Sequence, residues 1–149
     1  MDKIKIRGGS ELKGVFPISG VPAITGVRWV VPEGLTAARP DIVVFEELGV
    51  PLIDLVASSD AIVAKPGYGT FAEAIGAGTR LLYTDRPHWP ETPYLTDWAC
   101  AQGVAAGLGP GDRDMERFAQ AITALLQRPL FAPPALTGAA EGARLIASV

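Results

Sequence analysis

The sequence has a single cysteine, Cys100, and a single histidine, His88, among 149 residues. One cysteine cannot make a disulfide framework, and a reducing compartment fits it. With no second histidine and no cysteine pair, a metal site or a triad built on His88 lacks partners. His88 therefore reads as a loop residue. No apolar run approaches the length of a membrane span, and no signal peptide is visible, so no transmembrane segment and a cytoplasmic location are expected. Charge is sparse. Charged residues make up 19%, the net charge is −3, and there is no basic stripe, which argues against nucleic acid as a partner. No internal repeat is present, and low complexity is confined to the Pro/Ala-rich stretch from Pro129 to Ala135. No Gly-Lys-Ser/Thr sequence occurs, which excludes a P-loop.

What is present is apolar and regularly punctuated. Hydrophobic residues make up 48%, enough for a globular chain, and the length suits one domain with a real core. Val27–Val31, Ile42–Phe45, Ala61–Ala64 and Leu81–Thr84 read as strands, with Val104–Ala106 as a short last one. Pro51 sits well at the first position of a helix whose apolar face is Leu52, Leu55 and Val56. Thr92-Pro93 opens another, with Leu95, Trp98 and Ala99 facing inward and Gly103 closing it. Asp112 is expected to cap the clearest helix, in which Met115, Phe118, Ala119, Ile122, Leu125 and Leu126 recur at helical spacing. Thr137 to Ser148 reads as a final helix. Strands and helices alternating at this spacing imply an α/β fold, a Rossmann-like parallel sheet with helices on both faces.

The stretch from Asp60 to Glu73 organises the rest. Ala61–Ala64 is the strand, and Pro66, Gly67 and Gly69 break it. Thr70 suits an N-cap, with the helix running from Phe71 to Ala77. A helix N-terminus then lies at the carboxyl end of a strand, where free N–H groups and the dipole favour an anion. Glu73 has two readings that the sequence leaves open. Thr70 and Glu73 form a capping box, or Glu73 binds a ligand. Lys65 and Arg86 are either phosphate neighbours or solvated cations. Trp29, Trp89 and Trp98 read as core or loop packing.

Gly67-x-Gly69-Thr70-x-x-Glu73-Ala74 and Gly78, followed by Tyr83 to Arg86 and Glu91-x-Pro93-x-Leu95, resembles the C-terminal lobe of GT-B glycosyltransferases. The group containing the UDP-GlcNAc transferase of peptidoglycan synthesis (family 28-like) is the one it resembles most. The match spans roughly residues 27 to 149. The resemblance implies that Lys65, Gly67, Tyr68, Gly69 and Thr70 hold a nucleotide diphosphate, and that Glu73 holds the ribose. It implies sugar contacts from Arg86, Glu91 and Thr92. The partner it implies is a nucleotide sugar, UDP-linked as in that family, with no metal cofactor. It also implies that an N-terminal lobe or partner subunit, carrying the acceptor site and base, must complete the enzyme.

Residues 1–26 stand apart from this 27–149 unit. Lys3-Ile-Lys-Ile-Arg7 alternates as a strand does, but Gly14, Pro17, Gly20, Pro22 and Gly26 discourage the helix that should follow. The segment Met1 to Ser10 with Pro17-Ile-Ser-Gly20 resembles the start of enolpyruvyl transferases, over about the first twenty residues. It lacks that family's Lys-Asn pair, since Val21-Pro22 stands there. The segment is expected to pack on the sheet edge, away from the ligand site. Three other readings remain open. Gly67-Tyr-Gly69-Thr-Phe-Ala72 also fits the G-x-G-x-x-A pattern of NAD-binding Rossmann domains, with Asp85 as the ribose acid, although that pattern belongs on the first strand. A non-catalytic nucleotide-binding module is the second, and a sugar-nucleotide epimerase remnant the third.

Overall fold

A computed structural model describes residues 2–7, 20–35, 39–84, 86, 88–109, 114–129, 132–135 and 137–148, with the backbone alone for 2–7. Six strands form one sheet: β1 (Asp2–Arg7), β2 (Val27–Val31), β3 (Ile42–Val44), β4 (Ala61–Ala64), β5 (Arg80–Thr84) and β6 (Ala105–Leu108). The helices are α1 (Leu52–Ala57), α2 (Tyr68–Ala77), α3 (Thr92–Ala101), α4 (Met115–Leu126) and α5 (Gly138–Ala147). The strand order is β3-β2-β1-β4-β5-β6, and every neighbouring pair is parallel. This is the order of doubly wound dinucleotide-type sheets, and its switch point lies between β1 and β4.

β1 corrects the sequence reading. It does not lie on the edge. It pairs with β2 from Asp2↔Val27 to Lys5↔Val30, and with β4 from Ile4↔Ala61 to Arg7↔Ala64. Without it, β2 and β4 would each turn a row of unpaired N–H and C=O groups toward the sheet's centre. The expected interruption by Gly14 and Pro17 falls outside the described residues.

Side chains alternate across the sheet and sort into two cores. Ala61 and Val63 of β4, Leu82 of β5, and Val27, Trp29 and Val31 of β2 meet Phe118, Ile122 and Leu125 of α4. Ile62 and Ala64 of β4 and Leu81 of β5 meet Val56 of α1, Phe71, Ala74 and Ile75 of α2, and Leu95 and Ala99 of α3. Strands buried on both faces are therefore apolar throughout, as Ala61–Ala64 is. Trp29 is fully buried, lies 5.8 Å from the Phe118 ring, and donates its indole N–H to the Pro22 carbonyl at 2.8 Å. α4 is capped by Asp114, whose carboxylate accepts from the Arg117 N–H at 2.8 Å. The expected cap, Asp112, lies outside the described residues.

Two polar fixtures hold the frame. Arg80, buried at the start of β5, donates to the Arg128 carbonyl at the end of α4 and to the Asp60 carbonyl before β4. Its cation thus meets the carbonyl end of the α4 dipole. Arg39 donates to both carboxylate oxygens of Asp41, and reaches the Val21 and Pro22 carbonyls. The Arg39 guanidinium holds the Asp41 carboxyl below its ordinary range. A lowered folded-state value means that this stabilisation is present above the unfolded value, about pH 4, and is lost as pH falls through the folded one. The pair is partly exposed, so the gain is expected to stay below about 1 kcal/mol. Urea titrations from pH 7 to pH 2 should show Asp41→Asn flattening the acid limb of stability by that amount. An unchanged limb would mean the pair contributes nothing.

Candidate functional site

The turn after β4 differs from its sequence reading in one respect. The helix starts at Tyr68, with Gly67 as N-cap in extended conformation (φ −164°, ψ 134°), and the first helical bond runs from the Phe71 N–H to the Gly67 carbonyl at 3.0 Å. Thr70 is therefore in the first turn and caps nothing. A capping box would need its acid three residues after the cap. Glu73 is six after Gly67, so that reading falls. The reason lies in Gly67, which enters the helix directly after Pro66. The N–H groups of Gly67, Tyr68, Gly69 and Thr70 have no partner four residues back and point off the helix end. At the other end, Gly78 takes φ 75°, and the Thr79 N–H bonds back to the Ala74 carbonyl at 2.8 Å. The Thr79 hydroxyl donates to the Val56 carbonyl at 2.8 Å, tying α2 to α1.

A cavity of about 340 Å³ opens at the carboxyl end of β4. One wall is the β4–α2 turn, with Lys65, Pro66, Gly67 and Tyr68. The other is the loop and helix after β5, with Arg86, Trp89, Glu91, Thr92 and Leu95. Of the site residues expected from sequence, Lys65, Gly67, Tyr68, Arg86, Glu91 and Thr92 are thus brought together. Gly69, Thr70 and Glu73 do not line the cavity, although they share its helix. Asp85, the acid needed by the dinucleotide alternative, lies outside the described residues. The glycine turn of that alternative follows β4 rather than β1.

The second wall is internally braced. The Arg86 guanidinium lies 4.8 Å from the Trp89 ring centroid, and the Trp89 indole N–H donates to a Glu91 carboxylate oxygen at 3.3 Å. The Trp89 N–H also bonds to the Arg86 carbonyl at 3.0 Å. One aromatic ring thereby sets the positions of a cation and an anion. Thr92 begins α3, and its buried hydroxyl has no hydrogen-bond partner among the described residues. The same is true of Thr84, at the end of β5. A buried hydroxyl without a partner costs about 1–3 kcal/mol, so a ligand or water reaching Thr92 recovers free energy. Sequence reasoning took Pro66 only as a breaker of the strand and Trp89 as packing, and both line the cavity. The one available signal was the position of Trp89, on the loop that carries Arg86 and Glu91. Trp98 was expected to face inward and instead stands 42% exposed. Among the described residues, no three His, Cys, Asp or Glu side chains converge as metal ligands would, and no helix is long and apolar enough to cross a membrane.

No family model matches this sequence, and no curated protein matches it. Solved structures do. The glycosyltransferase of kitacinnamycin superposes with a TM-score of 0.62 at 16% identity, over 87% of this chain and 36% of its own. The calicheamicin glycosyltransferase CalG4 gives 0.59 at 16%, over 85% and 34%. The glycosyltransferase SnogD from Streptomyces nogalater gives 0.58 at 21%, over 98% and 43%. These likenesses show the fold alone, that of a GT-B glycosyltransferase lobe. The chain spans roughly a third to two fifths of each neighbour's length. They do not single out a family 28-like origin or the enolpyruvyl resemblance of the first residues.

Proposed function

We propose that this chain is the donor-binding lobe of a glycosyltransferase. It binds a nucleotide sugar, UDP-linked, and transfers a hexose or N-acetylhexosamine when an N-terminal lobe or partner subunit supplies the acceptor site and base. The observation that carries this reading is the cavity beside the switch point, where the start of α2 meets the Arg86–Thr92 wall. In open α/β sheets ligands bind outside the carboxyl ends of the strands, and the cavity lies at those of β4 and β5. The diphosphate lies at the α2 N-terminus, against backbone N–H groups and Lys65. The leaving nucleotide is stabilised there by dipoles and a side-chain cation, without a required metal ion. Arg86, Glu91 and the Thr92 hydroxyl face the sugar. Glu73 takes the ribose hydroxyls. The likeness to three glycosyltransferases supports the same reading.

Calorimetric titration in magnesium-free buffer tests it. UDP should bind more tightly than UMP, and UMP more tightly than deoxy-UMP, while NAD binds weakly. Glu73→Gln should weaken UDP roughly tenfold through lost charge-assisted bonds to the ribose. NAD binding more tightly than UDP would overturn the proposal. An unchanged UDP affinity in Glu73→Gln would remove only the ribose role.

A further inference from the structure

Arg86 and Glu91 stand on one wall of the cavity at β4. Opposite charges on a short loop attract each other, and more strongly where a cavity excludes water. Among the described residues, however, no ion pair joins these two. Both engage Trp89 instead. The guanidinium lies over the face of its ring, 4.8 Å from the centroid. The indole N–H, at the ring's edge, donates to a Glu91 carboxylate oxygen at 3.3 Å.

Trp89 is itself held in place. Its backbone N–H donates to the Arg86 carbonyl at 3.0 Å, and its carbonyl accepts from the Thr92 N–H at 3.0 Å. Two consecutive turns thus fix it to the start of α3. Core packing does not account for the ring, which is 50% exposed and joins neither apolar cluster. The arrangement leaves bonding capacity for a ligand. A carboxylate accepts about four hydrogen bonds, and the indole N–H uses one of them. A guanidinium stacked on an aromatic face keeps its N–H groups at its rim, pointing outward in its own plane. A direct ion pair would turn both groups on each other. Hydroxyl groups donate and accept, so a sugar ring can donate to Glu91 and accept from Arg86 at once.

We infer that Trp89 is a positioning residue for sugar recognition, holding Arg86 and Glu91 apart so that both address the hydroxyl groups of the sugar. This rests on the donor-lobe reading above. Trp89 acts through its two neighbours, and it contributes to the sugar's share of the affinity rather than to the nucleotide's.

Calorimetric titration of the whole chain with UDP, UDP-glucose and UDP-N-acetylglucosamine is the test, the tighter of the two sugar nucleotides being carried to the variants. Trp89→Leu should weaken that ligand about tenfold and change UDP by no more than about twofold. Trp89→Phe keeps a ring face for Arg86 and loses the N–H to Glu91, so the sugar nucleotide should weaken about threefold. In a Glu91→Ala background Trp89→Phe should cost nothing further, because the lost N–H has no acceptor there. The ring is half-exposed, so the variants should fold, and thermal denaturation checks this. Equal weakening of UDP and sugar nucleotide by Trp89→Leu would overturn the inference, as would no weakening of either. So would additive losses from Trp89→Phe and Glu91→Ala. In each of these cases UDP still binds the parent chain, and the donor-lobe reading stands without the role of Trp89. If neither UDP nor a sugar nucleotide binds the parent chain, the donor-lobe reading fails and the inference falls with it.

Discussion

Deleting Met1–Arg7 is expected to abolish the cooperative unfolding transition. β1 is paired on both sides, with β2 and with β4. Its removal leaves β2–β3 as one ribbon and β4–β5–β6 as another, each with a new open edge. An isolated two-stranded ribbon is marginal in water. The core on the α4 side draws Val27, Trp29 and Val31 from one ribbon and Ala61, Val63 and Leu82 from the other. It would be split along the missing strand. Domains of this size hold only about 5–15 kcal/mol in all, and losing a central strand removes backbone bonds and buried area from both halves together. Urea unfolding followed by tryptophan fluorescence, to which the buried Trp29 contributes, and by far-ultraviolet circular dichroism would read this directly. The truncated chain should show a sloping, non-cooperative signal. A sharp transition within about 1 kcal/mol of the parent would mean that β1 is dispensable and the rest of the sheet closes without it.

How much of this was legible depends on which force fixes each element. β2, β4 and β5 are apolar runs between turn residues, and α4 carries an apolar stripe at helical spacing. Burial fixes them, and burial shows in composition. The place of β1 is different. Lys3-Ile-Lys-Ile-Arg7 alternates as an edge strand would, and its central position comes from pairing with segments that begin about twenty and fifty-five residues further on. No local pattern encodes such a partnership. The start of α2 was misplaced for a smaller reason. Thr70 is the better cap by residue type, but Pro66-Gly67 already sets the turn, and backbone geometry outweighed side-chain preference. Trp98 was assigned to the core because Leu95 and Ala99 flank it at helical spacing. Those two fill the space beneath α3, and Trp98 is left at its rim. In the candidate site, the glycine turn and the Arg86–Thr92 loop could each be read from sequence. Their meeting across one cavity, and the unpartnered Thr92 hydroxyl within it, required the sheet.

Gly69→Asp should raise stability and destroy nucleotide binding in the same molecule. Gly69 lies in the first turn of α2, is exposed, and is not among the glycines with positive φ. A Cβ built there meets nothing within 4 Å. Replacing a helical glycine gains roughly 0.5–1 kcal/mol through reduced chain entropy. An acid in the first turn also gains about 0.3–1 kcal/mol from the helix dipole. Thermal denaturation should therefore move upward. Binding runs the other way. The carboxylate would occupy the field that the diphosphate is proposed to use, and a unit charge about 5 Å from the phosphate costs roughly 3 kcal/mol at an effective dielectric near 20. UDP affinity should fall roughly a hundredfold. Gly69→Ala supplies the comparison, since it shares the entropy gain and lacks the charge. It should bind UDP like the parent. An aspartate variant that is more stable and still binds UDP normally would place the anion elsewhere than the start of α2. An alanine variant that loses UDP as well would show that the phosphate approaches the Gly69 backbone too closely for any side chain.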